Sequence, residues 1–243
     1  MKLKIPLVCI AGILVILLYC VLTFTAVALF PPPFSPLDNW LSDLGNSSYS
    51  PKGAIFYNLG CILTGSMLFP FYIGLYKWYR KEIWHKILVL VAQIIGGYSG
   101  LSLIMIGVFS EDFLPQHIYW SNVFFILILV VLILSAMVLL LHPDFMKPIA
   151  IYGVVVAIID LFFEFLVGTS LLEWLTVFTA LAYVGLIVYN SYKVNKRFNS
   201  FFLSLFFIIS KPISKEIILI NVIFTLFYKK KLIVFLQSIM MFS

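Results

Sequence analysis

Residues 119–141, YWSNVFFILILVVLILSAMVLLL, decide the fold class, because they contain no charged side chain over a length that crosses a bilayer. A transmembrane helix needs about 20 consecutive, mostly apolar residues. Hydropathy predicts six such spans, at 5–30, 55–76, 87–109, 119–141, 149–170 and 172–189. Because a backbone inside lipid must satisfy its own hydrogen bonds, each span is expected to be an α-helix.

The whole chain has the composition of a polytopic membrane protein. Of its 243 residues, 63% are hydrophobic and 11% are charged, whereas soluble domains carry about 25% charged residues. The sequence therefore predicts an all-α integral membrane protein with six transmembrane helices in a bundle. Lys2, Lys4 and the A-x-A pattern at 26–28 imitate a signal peptide, but the apolar region exceeds the roughly 7–15 residues of such peptides. We expect an uncleaved first span.

Basic and acidic residues alternate between the predicted loops. Lysine and arginine lie before spans one, three and five and after span six, whereas the alternate loops carry only Lys52. Those alternate loops hold the acids Asp38, Asp43, Glu111, Asp112 and Glu173. By the positive-inside rule, we expect a cell-membrane protein with both ends of the six-helix domain in the cytoplasm and residues 36–60 facing outward.

Residues 198–243 form a hydrophobic and basic tail after the six-helix domain, 1–197. Lysines divide its apolar runs into pieces too short to span. Two interpretations stay open: an interfacial segment on anionic headgroups, or an extension that adds little. The net charge of +6 partly reflects this tail and favours membrane lipids over nucleic acid as partners. The sequence leaves the oligomeric state open and allows an oligomer.

Polar residues on the predicted outer face form a first candidate site. His117 and Ser121 are four residues apart, so they share one face of a helix. With Asp43 or Asp112 beside them, they would supply a histidine base, an orienting carboxylate and a serine nucleophile. The residues predicted to help bind a ligand there are Asn39, Ser42, Asn58 and Glu111.

Two other interpretations of this cluster stay open. His117 with two or three carboxylates would hold a metal ion. In the simpler alternative, the acids and the histidine are solvated loop residues and the serine caps a helix. No spacing matches a metal-binding signature or a cofactor motif, so we predict neither a metal nor a cofactor.

Asp160 and Glu164 form a second candidate cluster, in span five. They are four residues apart and share a helix face. A carboxylate near the bilayer centre costs about 2.5–3.5 kcal/mol to insert. The pair would serve the proton or cation path of a small transporter, or it would pack helices as protonated, hydrogen-bonded acids. In span three, Gly96-x-x-x-Gly100 predicts close approach of another helix.

Three segments carry a resemblance to a known family. FSPLDNWLSDLG at 34–45, AIFYNLGCILTG at 54–65 and GVFSEDFLPQHIYWSNVFF at 107–125 resemble the domain-of-unknown-function family 998 of six-helix prokaryotic membrane proteins. They are also distantly similar to the eukaryotic Frag/DRAM/Sfk-like group. The resemblance covers roughly residues 31–141. The positions that match its motifs are Ser42, Asp43, Gly45, Phe56, Asn58, Gly107, Phe109, Asp112 and His117.

The resemblance implies a link to lipids but no established activity. The eukaryotic group is linked to lipid handling, and its motif pairs Asp43 with His117. We therefore expect a lipid-interacting membrane protein with an outward-facing polar site built from loops one and three. The alternatives are an intramembrane lipid hydrolase or transferase that uses His117 and Asp43, and a small transporter that uses Asp160 and Glu164.

Overall fold

The described part of the chain is a bundle of six α-helices. The computed structural model describes residues 5–166 and 168–195, with side chains described everywhere except at residues 162–166. No strand occurs in this part. The helices are α1 (Leu7–Leu29), α2 (Ala54–Ile73), α3 (Ile83–Val108), α4 (Leu114–Leu141), α5 (Lys147–Leu166) and α6 (Ser170–Val194). The predicted six-helix, all-α class is confirmed, whereas the tail at 198–243 lies outside the described residues.

Five helical segments are long and apolar enough to cross a membrane. They are Leu7–Leu29, Ala54–Trp78, Ile83–Val108, Glu111–Leu141 and Ser170–Val194. Two of the five are longer than the α-helix they contain, because one 3₁₀ turn continues α2 to Trp78 and another, Glu111–Phe113, precedes α4. A third 3₁₀ turn lies in loop one at Ser42–Gly45. The protein is therefore an all-α polytopic membrane protein.

Helix α4 begins before the apolar stretch that predicts it. It starts at Leu114 with Pro115 in its first turn, a position where the missing proline N–H costs nothing. Hydropathy marks where the side chains become apolar, but backbone hydrogen bonding continues through the polar residues that precede them. As a result, His117 lies in the first turns of α4 instead of in a loop.

The six helices close into a ring. Each helix packs against the next one in sequence, and α6 packs against α1. Glycines allow a close contact between α2 and α3: a Cβ atom on Gly65 would lie 2.5 Å from the carbonyl oxygen of Gly100, and one on Gly96 would lie 2.5 Å from the ring of Tyr72. This confirms the close helix approach predicted from the glycine spacing.

Successive helices run in opposite directions, so the loops between them lie at two ends of the bundle, and these ends differ in chemistry. The loop-one end comprises loop one (residues 30–53), loop three (residues 109–113) and residues 168–169. The opposite end comprises residues 79–82 and 142–146. The candidate outer-face residues all lie at or near the loop-one end.

Basic side chains cap the end of α4 at the opposite end of the ring. Arg80 Nη1 donates to the Leu141 carbonyl at 2.9 Å, and Lys147 Nζ donates to the carbonyls of His142, at 2.6 Å, and of Leu140. His85 Nε2 lies 3.1 Å from the Val138 carbonyl. Carbonyls in the last turn of a helix lack intrahelical partners and attract cations. Burial lowers the pKa of the neighbouring His142 below its ordinary value.

Candidate functional site

Asp43 organises loop one from within. Its Oδ2 accepts hydrogen bonds from the backbone N–H of Trp40, at 2.9 Å, and from Asn39 Nδ2, at 3.4 Å. The Asn39 Oδ1 in turn accepts from the N–H of Ser35 at 3.2 Å. Asp43 is buried within the 3₁₀ turn, and its carboxylate accepts from two donors that precede the turn. It therefore fixes the shape of loop one.

The first turn of α6 clamps loop one onto the bundle. Glu173 Oε2 accepts from the buried N–H of Leu41 at 2.7 Å. Trp174 Nε1 donates to the Asn39 carbonyl at 3.1 Å, and Ser170 Oγ donates to the Leu37 carbonyl at 2.8 Å. The Trp174 ring also contacts the rings of Phe34 and Phe178. Loop one is thus tied to α6 across more than 130 residues of sequence.

Loop one is also joined to α2 and to loop three. Asn58 Nδ2, in α2, donates to the Gly45 carbonyl at 3.0 Å, and a Cβ atom at Gly45 would lie 2.4 Å from Asn58 Oδ1. Asp112 Oδ1 accepts from Ser47 N and Ser47 Oγ, at 3.0 and 2.8 Å, and its Oδ2 accepts from Ser110 Oγ at 2.9 Å. Loops one and three therefore lie together.

His117 is oriented by a backbone carbonyl. Its Nδ1 lies 2.9 Å from the carbonyl oxygen of Phe109, and the ring is buried. A carbonyl only accepts, so Nδ1 donates in this contact, and Nε2 is then the acceptor nitrogen of a neutral ring. Among the described residues, no hydrogen bond joins His117 to Asp43 or Asp112. The role predicted for the Asp43 and His117 pair stays a prediction, with Phe109 as the observed orienting group.

Ser121 lacks the hydrogen bond that many hydroxyls in the helices form. Five of these donate to the carbonyl four residues earlier: Thr25, Ser66, Ser102, Ser135 and Thr179. Ser121 forms no hydrogen bond with the described part of the chain, although it lies one turn after His117 on α4. Its hydroxyl is available to a ligand.

A narrow cavity of about 70 Å³ lies inside the helical ring. The described residues that line it belong to α1, α2 with its 3₁₀ extension, α3, α4, α6 and loop one. Most of them are apolar, including Val15, Leu68, Leu103, Leu132 and Val184. Its polar lining at the loop-one end consists of Tyr19, Ser42, Tyr57, His117, Ser121 and Glu173.

Thr64 lies deeper in the cavity, on α2. Its side chain is 2% exposed, and its hydroxyl has no hydrogen-bond partner among the described residues. A buried hydroxyl without a partner costs about 1–3 kcal/mol. A cavity needs about 10–15 Å³ to hold one water molecule, so this cavity has room for several groups of that size.

The remaining predicted site residues lie around this cavity or away from it. Asn39 and Asn58 hold loop one, whereas Glu111 is at the start of loop three's 3₁₀ turn and its Oε2 is buried without a hydrogen bond.

Asp160 is buried between α5 and α6, where its Oδ1 accepts from Thr176 Oγ1 at 3.2 Å, and it does not line the cavity. The side chain of Glu164 lies outside the described residues. Within the described part, no group of three or more histidine, cysteine or acidic side chains is placed to hold a metal ion.

The sequence patterns do not single out most of the cavity lining, including Tyr19, Tyr57, Thr64 and Glu173. Glu173 had one signal, its position on the acidic side of the charge map. No sequence pattern links it to the N–H of Leu41, because that contact joins segments distant in the chain. The tyrosines and the threonine are ordinary residues of membrane helices and carry no signal.

Fold and site together define a polytopic membrane protein with a capped internal cavity. The chain belongs to the family described as "Protein of unknown function (DUF998)", whose model matches residues 13–189. The match includes the cavity, loops one and three, and Asp160 with Glu164. The chain matches no curated protein and no solved structure. The distant similarity to the Frag/DRAM/Sfk-like group stays a prediction.

Proposed function

We propose that the protein binds a membrane lipid inside the helical ring, with a hydrocarbon chain in the cavity and the lipid's polar head at the loop-one end. The observation that carries this proposal is the distribution of groups along the cavity. Apolar side chains line most of it, its histidine and its carboxylate, His117 and Glu173, lie at the loop-one end, and the polar groups deeper in its wall are hydroxyls. A histidine and a carboxylate at one end of a mostly apolar cavity match an amphiphile, since chain and head require different surroundings.

The length of the cavity supports a chain as the occupant. On α4 its lining extends from His117 to Ser135. At 1.5 Å per residue this corresponds to about 27 Å, close to the roughly 30 Å of the hydrocarbon core. A chain aligned with the bundle axis would therefore stay at the depth that lipid chains occupy in the bilayer.

The charge map supports an outward-facing head in the cell membrane. The segments at the opposite end contain Arg80 and Lys81, and Lys147 follows them as the first residue of α5. Lys52 is the only lysine or arginine in the described loops at the loop-one end. Basic loops are retained in the cytoplasm. The proposal therefore puts the polar end of the cavity at the outer leaflet.

A pair of neighbouring residues on α4 offers a matched test of lipid binding. Leu132 is 3% exposed and lines the cavity, whereas Ile133 is 40% exposed on the outside of the ring. We expect Leu132→Trp to fill the cavity and to lower the amount of the most enriched co-purified lipid several-fold, measured by mass spectrometry of extracts from purified protein. Ile133→Trp should leave that amount unchanged.

The two variants also control for damage to the fold. Overpacking a core costs about 1–3 kcal/mol, so thermal unfolding in detergent must show that Leu132→Trp is still folded at the temperature of purification. Equal lipid content in both folded variants and in the wild type would contradict the proposal.

The arrangement of His117 and Ser121 supports a second candidate function, a lipid hydrolase or acyltransferase. The Nε2 lone pair of His117 and the unpartnered Ser121 hydroxyl are one helical turn apart at the polar end of the cavity. The histidine would act as base and the serine as nucleophile on an ester or amide. In this arrangement the Phe109 carbonyl orients the histidine, which is the role predicted from the sequence for Asp43.

Comparison of lipid profiles separates the two candidates. If the protein is an enzyme, His117→Ala and Ser121→Ala will each change the acyl composition of one lipid class in the same way as deletion of the protein. If it is a binder, the same variants will leave the acyl composition at wild-type values. Asn122→Ala, next to Ser121 but exposed and outside the cavity lining, is the control.

A further inference from the structure

The loop-one end of the cavity carries carboxylates without a matching cation. Asp43 and Glu173 accept hydrogen bonds from the consecutive backbone amides of Trp40 and Leu41, which brings the two carboxylates close together. Glu111 belongs to the 3₁₀ turn that packs against the turn at Ser42–Gly45. Three acidic side chains from three separate segments therefore converge at this end.

No described basic side chain compensates these acids. Lys52 is exposed, and the single ion pair in the described part of the chain joins Arg80 to Glu82 at the opposite end. His117 is buried against the Phe109 carbonyl. Hydrogen bonds from loop one reduce the cost of burying Asp43 and Glu173, but they leave the negative charge without a charged partner. A cation from outside the chain would supply that partner.

Glu173 is the one of these three acids that lines the cavity. Backbone amides of loop one support its carboxylate, but an ionised carboxylate has about four acceptor sites. It therefore retains capacity for a donor that enters from the cavity. Tyr19 and Tyr57 line the same end, and aromatic faces attract cations.

The unpartnered hydroxyl of Thr64 is an independent indication of a ligand. It is almost fully buried in the cavity wall and lacks any described partner. The free Ser121 hydroxyl lies on another helix of the lining, α4. An anionic head, such as a phosphate or a free carboxylate, would meet acids at the cavity end instead of the lysines or arginines that bind anions.

We infer that the cavity takes an amphiphile whose head is a protonated amine or a quaternary ammonium group, paired with the Glu173 carboxylate, and whose chain occupies the apolar part. This inference rests on the proposed function, because it names the head chemistry of the lipid that the cavity binds. An amine donates to the carboxylate as a charge-assisted hydrogen bond, and a quaternary ammonium pairs with it through charge alone.

Three probes with the same chain test the head chemistry in the full-length protein. Hexadecylamine, hexadecanol and hexadecanoic acid differ only in the head, and their binding is measured by native mass spectrometry from neutral maltoside micelles. We expect the wild type to bind hexadecylamine at least tenfold more tightly than hexadecanol, and hexadecanoic acid most weakly. This ranking needs no variant.

Glu173→Gln then tests the residue. It keeps an oxygen that accepts from the Leu41 N–H, so loop one should stay in place. We expect the affinity for hexadecylamine to fall to that of hexadecanol, with the affinity for hexadecanol unchanged. Asp38→Asn removes the same charge from an exposed position at the same end, and it should leave all three affinities at wild-type values.

The outcomes distinguish the two proposals. Equal wild-type affinities for the amine and the alcohol, or a preference for the acid, would overturn the cationic head and leave lipid binding in place. If Glu173→Gln keeps the wild-type preference for the amine, the pairing with Glu173 is overturned. If none of the probes binds the wild type, both the inference and the proposed function fail.

Discussion

The two ends of the ring use charged side chains in opposite ways. At the opposite end, Arg80 and Lys147 donate to carbonyls at the end of α4. At the loop-one end, Asp43 and Glu173 accept from amides of loop one. In the first case the charges close a helix, and in the second they shape a loop that caps a cavity.

The difference extends to the aromatic residues. Trp78 is 1% exposed at the opposite end, where its Nε1 donates to Ser191 Oγ at 3.2 Å and its ring contacts His142 and Phe145. Trp174 at the loop-one end donates to the Asn39 carbonyl of loop one. One tryptophan fills a core, and the other holds a loop. The opposite end is thus a packed core, whereas the loop-one end is the part of the ring to which we assign the ligand's head under the proposed function.

The largest expected effect of a single change is at the opposite end. Trp78→Ala should lower the free energy of unfolding by about 3–5 kcal/mol, because it leaves a large cavity in a packed core. Thermal unfolding in maltoside micelles measures the change. Trp84→Ala, at a ring that is 45% exposed, should shift stability by less than about 0.5 kcal/mol. Similar unfolding midpoints for the two variants would contradict the stabilising role of this end.

A smaller and local effect is expected at the loop-one end. Glu173→Ala leaves the buried N–H of Leu41 without its acceptor, at a cost of about 1–3 kcal/mol. We expect amide hydrogen exchange in residues 37–48 to accelerate by roughly tenfold or more, with little change in residues 79–82 and 142–146. Glu173→Gln should keep the wild-type protection, since its amide oxygen still accepts. Equal acceleration at both ends would break the distinction between them.

The smallest effect is a pH dependence at the opposite end. Burial lowers the pKa of His142 below its ordinary value of 6.5. The unfolded chain therefore takes up a proton first as the pH falls below about 6.5, and the stabilisation by neutral His142 is lost at lower pH. The groups near His142 are Asp144, whose charge opposes the shift, and His85, Arg80 and Lys147, whose charges add to it.

The measurement is the unfolding midpoint between about pH 7.5 and pH 5, compared between wild type and His142→Asn. The asparagine does not titrate, so we expect its midpoint to fall less with decreasing pH. A wild-type midpoint that rises as the pH falls, or a variant with the same slope, would contradict the neutral, buried state of His142.

The sequence was sufficient for the fold class and for the meeting of the loops, but not for the contacts within the site. Hydropathy predicts six helices because a bilayer leaves the backbone few alternatives. It does not predict that α6 closes the ring on α1, since that depends on packing between distant segments. Asp43 shows the same limit: the donors to its carboxylate are in its own loop, at Asn39 and Trp40, whereas His117 contacts the Phe109 carbonyl. The role of Glu173 requires the fold, because Leu41 is 132 residues away along the chain.

The second cluster shows what pattern alone leaves open. The spacing of Asp160 and Glu164 predicts a shared helix face, and the described contact of Asp160 is with Thr176 on α6. A helix-packing hydrogen bond and a transport path would both place an acid there. The described residues that line the cavity lie on α1, α2, α3, α4 and α6 and in loop one, and none of them lies on α5, which carries Asp160. The transporter hypothesis therefore stays a prediction.

The most direct test of lipid binding is an experimental structure of the purified protein in lipid nanodiscs. We expect elongated density inside the ring, extending from the level of His117 and Ser121 toward Ser135, with its widest part beside Glu173. The same structure of Leu132→Trp should lack the density and keep the ring intact. A wild-type cavity that is filled by the protein's own side chains, or that contains only separate water peaks, would contradict lipid binding in this protein.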